Sequence, residues 1–246
     1  MPRTVAAEDL AGAGDWWRPF TQVEDVAIMH VDLTANVTNE QTAWNWLDDS
    51  ERQRWQRFLH EGARRQYVLC RASLRSLLCD ALNCSNDELG FESADHGKPF
   101  AMVKGQPTSF GFNVSHSGAH GLIALVSSGR VGVDVEEFAQ QRNLELLIEG
   151  TFGPNEQAEL AALSGNRKLR LFFTLWTIKE ALSKAHGWGL SLDVSRFEVP
   201  ENLRRGEMRG SFQLSDLGDF SDTDDTWHVS NIGTDKFAAA MVREER

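Results

Sequence analysis

The sequence contains few cysteines, and their spacing does not suit a shared task. Cys70, Cys79 and Cys84 are odd in number and form no Cys-x-x-Cys pair, which favours neither a zinc site nor a disulfide framework. Reduced thiols are typical of cytoplasmic proteins, so we predict a cytoplasmic location. The chain also has no apolar run of about 18 residues and no hydrophobic segment near its start, which argues against a membrane span and a signal peptide.

Basic residues are fewer than acidic residues. The chain has 25 Lys and Arg against 36 Asp and Glu, which gives a net charge of −11 and argues against a nucleic-acid-binding protein. A local basic pocket remains possible, because a site uses only its own few charges. With 246 residues and 41% hydrophobic content, the chain can form one large domain or two small ones, each with a core.

The apolar pattern predicts strands and helices in irregular order in both halves of the chain. Strands are predicted at 26–31, 110–114, 122–126, 131–136 and 197–199, and a hairpin from 227–229 and 237–242. Helices are predicted at 51–82, 144–148, 154–163 and 169–185, the last ended by Gly187 and Gly189. The irregular order favours an α+β fold over a doubly wound sheet.

Two acidic residues interrupt the predicted strand at 131–136. Asp134 and Glu136 alternate with valines, so both carboxylates extend from one face of the strand and the valines from the other. Neighbouring carboxylates repel each other unless water or a cation separates them. The pair is therefore either the solvent-facing side of a half-buried sheet or part of a cation site.

A second polar group lies on the predicted helix at 169–185. Glu180 and Lys184 are four residues apart and Lys179 is adjacent, whereas most other positions of this helix are apolar. An i,i+4 Glu–Lys pair on a solvated face would account for the spacing. The apolar surroundings favour a second explanation, in which the carboxylate and the ammonium groups face a cleft.

The strand and the helix together offer groups for a diphosphate site. Asp134, Glu136 and Glu180 would supply three hard oxygen ligands, the type that Mg²⁺ prefers. Lys179 and Lys184 would meet phosphate oxygens as charged donors.

A polar segment near residue 116 extends this interpretation. Ser115 and His116 follow a predicted strand and offer hydroxyl and imidazole groups to a phosphate, or they form a polar turn that closes a hairpin. A Ser–His hydrolase dyad is disfavoured, because adjacent residues of a strand point apart. Lys98, between Gly97 and Pro99, is either a phosphate contact or a surface lysine.

Five segments occur along the chain in one order. They are Gly97-Lys98-Pro99, Phe112-Asn113-Val114-Ser115-His116-Ser117-Gly118, Val131-Gly132-Val133-Asp134-Val135-Glu136, Leu175-Trp176-Thr177-Ile178-Lys179-Glu180-Ala181-Leu182-Ser183-Lys184 and Gly189-Leu190-Ser191-Leu192. In this order they resemble the 4′-phosphopantetheinyl transferases of the surfactin-synthetase-activating type, in the branch with a Trp-x-x-Lys-Glu-Ala motif. The resemblance covers roughly residues 50 to 200.

The resemblance implies a monomer with two similar α/β subdomains, related by a pseudo-twofold axis, and an active site in the cleft between them. The N-terminal subdomain, residues 1–125, would contact the adenosine end of coenzyme A. The C-terminal subdomain, residues 126–246, would hold Mg²⁺, bind the diphosphate and dock a carrier protein.

The resemblance also assigns roles to single residues. Mg²⁺ would be held by Asp134, Glu136 and Glu180, and the diphosphate would be contacted by Lys184, with Lys179 beside it. Phosphates of the adenosine end would be contacted by Lys98, Ser115 and His116, and the 3′-phosphate by Arg54.

One position departs from the family pattern. A basic residue of the family falls on Glu51 in this sequence, next to the arginine-rich stretch at 52–75. Arg64, Arg65 or Arg71 would then complete the binding of the 3′-phosphate.

The implied reaction transfers 4′-phosphopantetheine from coenzyme A to a serine of an acyl or peptidyl carrier protein, with release of adenosine 3′,5′-bisphosphate. Glu180 would accept the serine proton directly or through a metal-bound water, and Lys184 would stabilise the leaving bisphosphate. Whether Glu180 acts mainly as a metal ligand or as a base stays open at the level of sequence. Such carrier-protein activation serves secondary-metabolite biosynthesis, among other pathways. The alternatives are a Mg²⁺-dependent diphosphate hydrolase and a non-catalytic module that binds coenzyme A or a carrier.

A carrier protein of this class is acidic, as this chain is, so docking would need a local basic or apolar patch. The expected patch lies within residues 141–170, and a solvated surface is the alternative. Its basic residues are Arg142, Arg167, Lys168 and Arg170, near the stretch at 150–154.

Overall fold

The computed structural model describes residue 6 and residues 15–94, 97–187, 194–213 and 225–245. The chain divides into two compact units, Met1–Ser128 and Gly129–Arg246. Each unit contains a four-stranded antiparallel sheet and one 22-residue helix. The predicted α+β class is therefore confirmed. No helix in the described parts of the chain is long and apolar enough to cross a membrane.

The first unit carries its main sheet in the order β1-β2-β7-β6, and β3, β4 and β5 form a second sheet. Its elements are β1 (Trp17–Val23), β2 (Val26–Asp32), α1 (Val37–Trp44), α2 (Asp49–Gln56), α3 (Glu61–Leu82), β3 (Leu89–Ser93), β4 (Pro99–Val103), β5 (Gln106–Pro107), β6 (Gly111–Ser117) and β7 (His120–Val126). Helix α3 packs its buried leucines against one face of the main sheet, with Met29 and Ile123 in the same core.

The long helix predicted at 51–82 is broken in the structure. Helix α2 ends at Gln56 and α3 begins at Glu61, with His60 in an extended conformation before it. The side chain of Arg64 donates to the carbonyl oxygen of Phe58 at 2.8 Å, which fixes the turn between the helices. Leu59 is 90% exposed, because it lies in this turn and not on the shared apolar face that its spacing suggests.

The second unit has the sheet order β8-β11-β10-β9. Its elements are β8 (Val131–Glu137), α4 (Leu144–Thr151), α5 (Pro154–Ala161), α6 (Gly165–His186), a 3₁₀ turn at Val194–Arg196, α7 (Glu201–Arg204), β9 (Arg209–Gln213), β10 (Thr226–Asn231) and β11 (Phe237–Glu244). The predicted closing hairpin is confirmed, because β10 pairs with β11 antiparallel.

The strand predicted at 197–199 is wrong. The backbone N–H of Val199 donates to the carboxylate of Glu156 at 2.7 Å instead of to a neighbouring strand. Short apolar runs flanked by polar residues do not distinguish a strand from an ordered loop. Here the apolar side chains Phe197 and Val199 are buried in the second core without joining a sheet.

Helix α6 is the central element of the second unit. It begins at Gly165, four residues before the predicted start, and ends at His186. Gly187 caps it with a φ of 90°, in the left-handed region that glycine favours. Leu175, Ile178 and Leu182 are at most 1% exposed and pack in the core beside the sheet. This packing places one face of α6 against strands β8 and β11.

Candidate active site

The site in the second unit depends on close contact between β8 and α6. A Cβ atom at Gly132 would lie 2.0 Å from the carbonyl oxygen of Ala181 and 2.5 Å from the nitrogen of Ala185, so only glycine permits this approach. Side chains alternate along a strand, so Asp134 and Glu136 extend from the same face as Gly132. That face is the one against α6.

Asp134 and Lys184 form an ion pair across this contact. The ammonium nitrogen of Lys184 is 2.5 Å from a carboxylate oxygen of Asp134, whose side chain is 4% exposed. Lys184 retains 29% of its side-chain exposure. The pair therefore links a buried acid to a base at the surface of the unit, and neither the solvent-facing strand nor the solvated i,i+4 pair describes these residues.

Glu180 is half-buried one turn before Lys184 on α6. Burial raises the pKa of the Glu180 carboxyl, the negative charge of Asp134 raises it further, and the charge of Lys184 opposes both. These charge effects place Asp134, Glu180 and Lys184 within electrostatic reach of one another. A carboxylate with a raised pKa binds a proton more readily than an exposed one, as a general base must.

The predicted Mg²⁺ site is supported by the chemistry of its side chains but not by their arrangement. Asp134, Glu136 and Glu180 are all hard oxygen donors, and Mg²⁺ is bound by such donors. Within the described residues, however, no group of three or more His, Cys, Asp or Glu side chains stands in an arrangement that could hold a metal ion. Glu136 is half-buried at the end of β8, and one Asp134 oxygen contacts Lys184.

Lys179 is placed differently from the expected diphosphate contact. It is 1% exposed and its ammonium group is 2.8 Å from the carboxylate of Glu156, which is also fully buried. The same ammonium donates to three backbone carbonyl oxygens, those of Thr151, Val194 and Phe197, at 3.0, 2.8 and 2.7 Å. Its contacts therefore lie within the fold, and the expected contact with the diphosphate stays a prediction.

The first unit contains a basic cavity of about 250 Å³. Two expected residues, Arg54 and His116, line it, and Lys98 immediately precedes Pro99 of the lining in the sequence. Its lining is Arg54, Tyr67, Cys70, Arg71, Leu74, Pro99, Phe112, Asn113, Val114 and His116. A cavity with two guanidinium groups and an imidazole suits an anion.

Ser115 and His116 lie within β6 and not after it. Ser115 is 6% exposed, whereas His116 is exposed and lines the cavity, as alternation along a strand requires. Ser115 is therefore not among the side chains that line the cavity. Lys98 is half-buried in the turn before β4, where Gly97 has a φ of 85°.

Of the three alternative arginines, only Arg71 lines the cavity. Arg64 donates to Phe58 and stacks on Trp55, and Arg65 pairs with Glu40 at 3.0 Å.

Several residues of these sites were not predicted from the sequence. Gly132 interrupts a buried strand, which is a signal of close backbone approach. Glu156 follows a proline at the start of a helix, and nothing in its spacing connects it with Lys179, 23 positions later. Tyr67 is the single tyrosine of the chain, in the arginine-rich stretch. The motif at 189–192 lies outside the described residues.

Comparison with known proteins gives the same protein family as the five sequence motifs. Residues 130–242 match the model of the 4′-phosphopantetheinyl transferase superfamily, and residues 35–128 match that of the 4′-phosphopantetheinyl transferase N-terminal region. These matches meet where the two compact units meet.

Three relatives support the assignment. A protein of Synechocystis sp., described as a candidate 4′-phosphopantetheinyl transferase, is 34% identical over 70% of this chain and 68% of its own length. The 4′-phosphopantetheinyl transferase HetI of Nostoc sp. is 30% identical over 68% of this chain and 71% of its own. A phosphopantetheinyl transferase of Thraustochytrium sp. is 27% identical over 80% of this chain and 70% of its own.

The chain belongs to the 4′-phosphopantetheinyl transferase superfamily, and it is a transferase enzyme of that class.

Proposed function

We propose that this enzyme moves 4′-phosphopantetheine from coenzyme A to a serine of an acyl or peptidyl carrier protein, as the surfactin-synthetase-activating members of the family do. The observation that carries this proposal is the pairing of Lys184 with buried Asp134, next to Glu180 with its raised pKa. These groups can hold a cation, bind a diphosphate and accept a proton.

Asp134, Glu136 and Glu180 are the proposed ligands of Mg²⁺, which would supply Lewis-acid polarisation of the diphosphate when bound. The carboxylates lie on one face of β8 and on the helix packed against that face. Asp134 would hold the ion with the carboxylate oxygen that accepts a hydrogen bond from the ammonium of Lys184.

Glu180 is the proposed general base when its carboxylate is not engaged by the metal ion, since a fully coordinated carboxylate does not accept a proton. The serine oxygen forms a bond to the phosphorus atom that bears the pantetheine, and the bond from that phosphorus to the bisphosphate oxygen breaks. The serine proton passes to the carboxylate of Glu180, whose pKa is raised by burial and by Asp134. Lys184 donates to the diphosphate oxygens and stabilises the negative charge of the leaving adenosine 3′,5′-bisphosphate.

The first unit is the proposed site for the adenosine end of coenzyme A. Arg54 and His116 line its basic cavity, and Lys98 is adjacent in sequence to Pro99 of the lining. Ser115, buried on β6, would act through its neighbours or its backbone. We therefore assign residues 1–125 to binding of the adenosine end and 126–246 to the diphosphate chemistry.

Lys179 has a different proposed role. Its contacts with Glu156 and with three carbonyl groups tie α6 to the segments around Thr151 and Phe197. Lys179 thereby fixes the helix turn that carries Glu180, and its own charge is neutralised inside the fold.

A carrier protein is proposed to dock beside the first turns of α6. A cavity of about 410 Å³ there is lined by Phe138, Leu169, Arg170 and Lys236, among others. Arg167 is exposed near it, and Lys168 pairs with Glu145. Apolar and basic groups side by side suit an acidic partner. We infer that the enzyme acts as a cytoplasmic monomer, in line with its three free thiols.

One experiment tests the proposed function. The enzyme is incubated with coenzyme A, Mg²⁺ and an apo carrier protein, and the carrier is weighed by mass spectrometry. We expect a gain of one phosphopantetheine group. Free phosphopantetheine without a change in the carrier would instead show a hydrolase, and no product at all would show a binding module.

A further inference from the structure

The basic cavity of the first unit has a wall that depends on a buried acid. Glu51 is 6% exposed at the third position of α2, where its side chain completes a capping box with Asp48. The resemblance found in the sequence motifs implies a basic residue of the family at this position. An acid here removes one positive charge from the neighbourhood, so the cations that remain must be held in place by other means.

Glu51 holds two arginines of α3. One of its oxygens accepts a hydrogen bond from Arg75 at 2.7 Å, and the other is 3.4 Å from the Nε of Arg71. Arg75 is 1% exposed and also pairs with Asp48, so its charge is used inside the fold. Arg71 keeps 17% of its side-chain exposure and lines the cavity.

The guanidinium of Arg71 is fixed and remains partly open to the cavity. It lies 4.5 Å from the centre of the Phe91 ring, so the ring and Glu51 together set its orientation. The charge of Arg71 also acts on the nearby hydroxyl of Tyr67, another residue of the lining. Because Arg71 keeps 17% of its side-chain exposure at the cavity, part of its guanidinium is open to a ligand there.

Arg54 supplies the second charge. Its guanidinium lies 5.5 Å from the Tyr67 ring centre, and no carboxylate of the described chain pairs with it. Two guanidinium groups at one cavity, one fixed and one unpaired, match a phosphate monoester, which carries up to two negative charges and accepts bidentate hydrogen bonds.

We propose that Glu51 is a positioning residue, which holds Arg71 so that Arg71 and Arg54 together select a substrate carrying a 3′-phosphate. This inference rests on the proposed function, because the phosphate is that of coenzyme A. Glu51 would thus act on the phosphate indirectly, through Arg71, where a basic residue at this position would contact the phosphate itself.

The test compares coenzyme A with 3′-dephospho-coenzyme A, which differs only by that phosphate. For Arg71→Gln we expect KM for coenzyme A to rise roughly 10- to 100-fold, because a charged hydrogen-bond donor is lost, with kcat little changed. For Glu51→Gln we expect a rise of roughly threefold to tenfold, because the amide still accepts one hydrogen bond. Neither variant should change KM for the dephosphorylated substrate.

Arg65→Gln is the matched control, because it removes one positive charge from the same helix outside the cavity. It should change neither KM value. Binding of adenosine 3′,5′-bisphosphate and adenosine 5′-phosphate, measured by calorimetry, gives a readout that needs no carrier. Only the first should bind more weakly to Arg71→Gln and Glu51→Gln.

The outcomes separate this inference from the proposed function. A wild-type enzyme that modifies no carrier would contradict the proposed function, while the two adenosine ligands would still test the cavity. A wild-type enzyme that transfers equally well from both substrates would overturn the inference alone. Equal losses on both substrates in Glu51→Gln would also overturn it, because a general loss of folding does not distinguish the phosphate.

Discussion

Two lysines of helix α6 lie five positions apart and have opposite surroundings. Lys179 is 1% exposed and its ammonium contacts Glu156 and three carbonyl oxygens, whereas Lys184 is 29% exposed and its ammonium contacts the carboxylate of Asp134. A buried charge needs such complete compensation, because desolvation costs several kcal/mol per ion. Lys184 is only partly removed from water, and we propose that it exchanges its partner for a substrate group. Burial therefore separates a structural lysine from one suited to chemistry.

The largest expected effect is that of Glu180→Gln. The amide keeps the shape of the side chain but cannot take the serine proton, so kcat should fall by about 10² to 10⁴. Mass spectrometry of the carrier measures the rate, and thermal unfolding checks the fold. Near-normal transfer by a folded variant would remove Glu180 from the mechanism.

Lys179→Met should act on stability and not on chemistry. It leaves the buried carboxylate of Glu156 without its counter-charge, so the free energy of unfolding should fall by about 3–5 kcal/mol in urea titrations. Lys168→Met is the matched control on the same helix, because its partner Glu145 is 71% exposed, and it should cost about 1 kcal/mol or less. A stable but inactive Lys179→Met protein would instead support the prediction from the sequence that Lys179 contacts the diphosphate.

Lys184→Gln should lower activity much more than stability, the reverse of Lys179→Met. Loss of the positive charge at the leaving group should lower kcat by about 10² to 10³, an effect of the size seen when one stabilising donor is removed. The loss of stability should be smaller than that of Lys179→Met, since the amide still donates a hydrogen bond to Asp134 and position 184 is partly open to water. If unfolding measurements instead showed a loss as large as that of Lys179→Met, the contrast between the two lysines would disappear.

The ion pair of Arg130 with Glu244 is expected to give the smallest effect on stability, and it tests whether partial exposure alone marks a catalytic charge. Arg130 is 32% exposed, much like Lys184, and donates to both oxygens of Glu244 at 2.9 and 2.6 Å. No carboxyl with a raised pKa adjoins it in the described residues, so we expect a structural role only.

The hydrogen bonds from Arg130 lower the pKa of Glu244 below its ordinary value of 4.5. The pair therefore contributes stability above pH 4.5 and loses it as the pH falls through the lowered pKa. Glu244→Gln should be less stable than the parent by about 1 kcal/mol at neutral pH, and the two should converge in acid. A constant difference across this range would contradict the linkage.

The sequence was sufficient where the signal was local. Alternation marked β8, a short apolar run marked β7, and the glycine after the last helical turn marked the end of α6, because these signals depend on near neighbours. The break between α2 and α3 was missed, because Phe58 and Leu59 continue the helical spacing through a turn that a contact from Arg64 fixes. The sequence predicted that Asp134 and Lys184 belong to one site. It did not predict that their side chains form a direct ion pair.

Residue type and order determined by themselves the transferase class, the α+β elements and the set of acids and lysines on β8 and α6. Only the tertiary structure decided which charges are compensated. It placed Glu156 against Lys179 and Glu51 against Arg71, pairs far apart in sequence whose meeting depends on the packing of whole elements. The free energy of a charge is set by its surroundings in space, and those are formed only when the chain has folded.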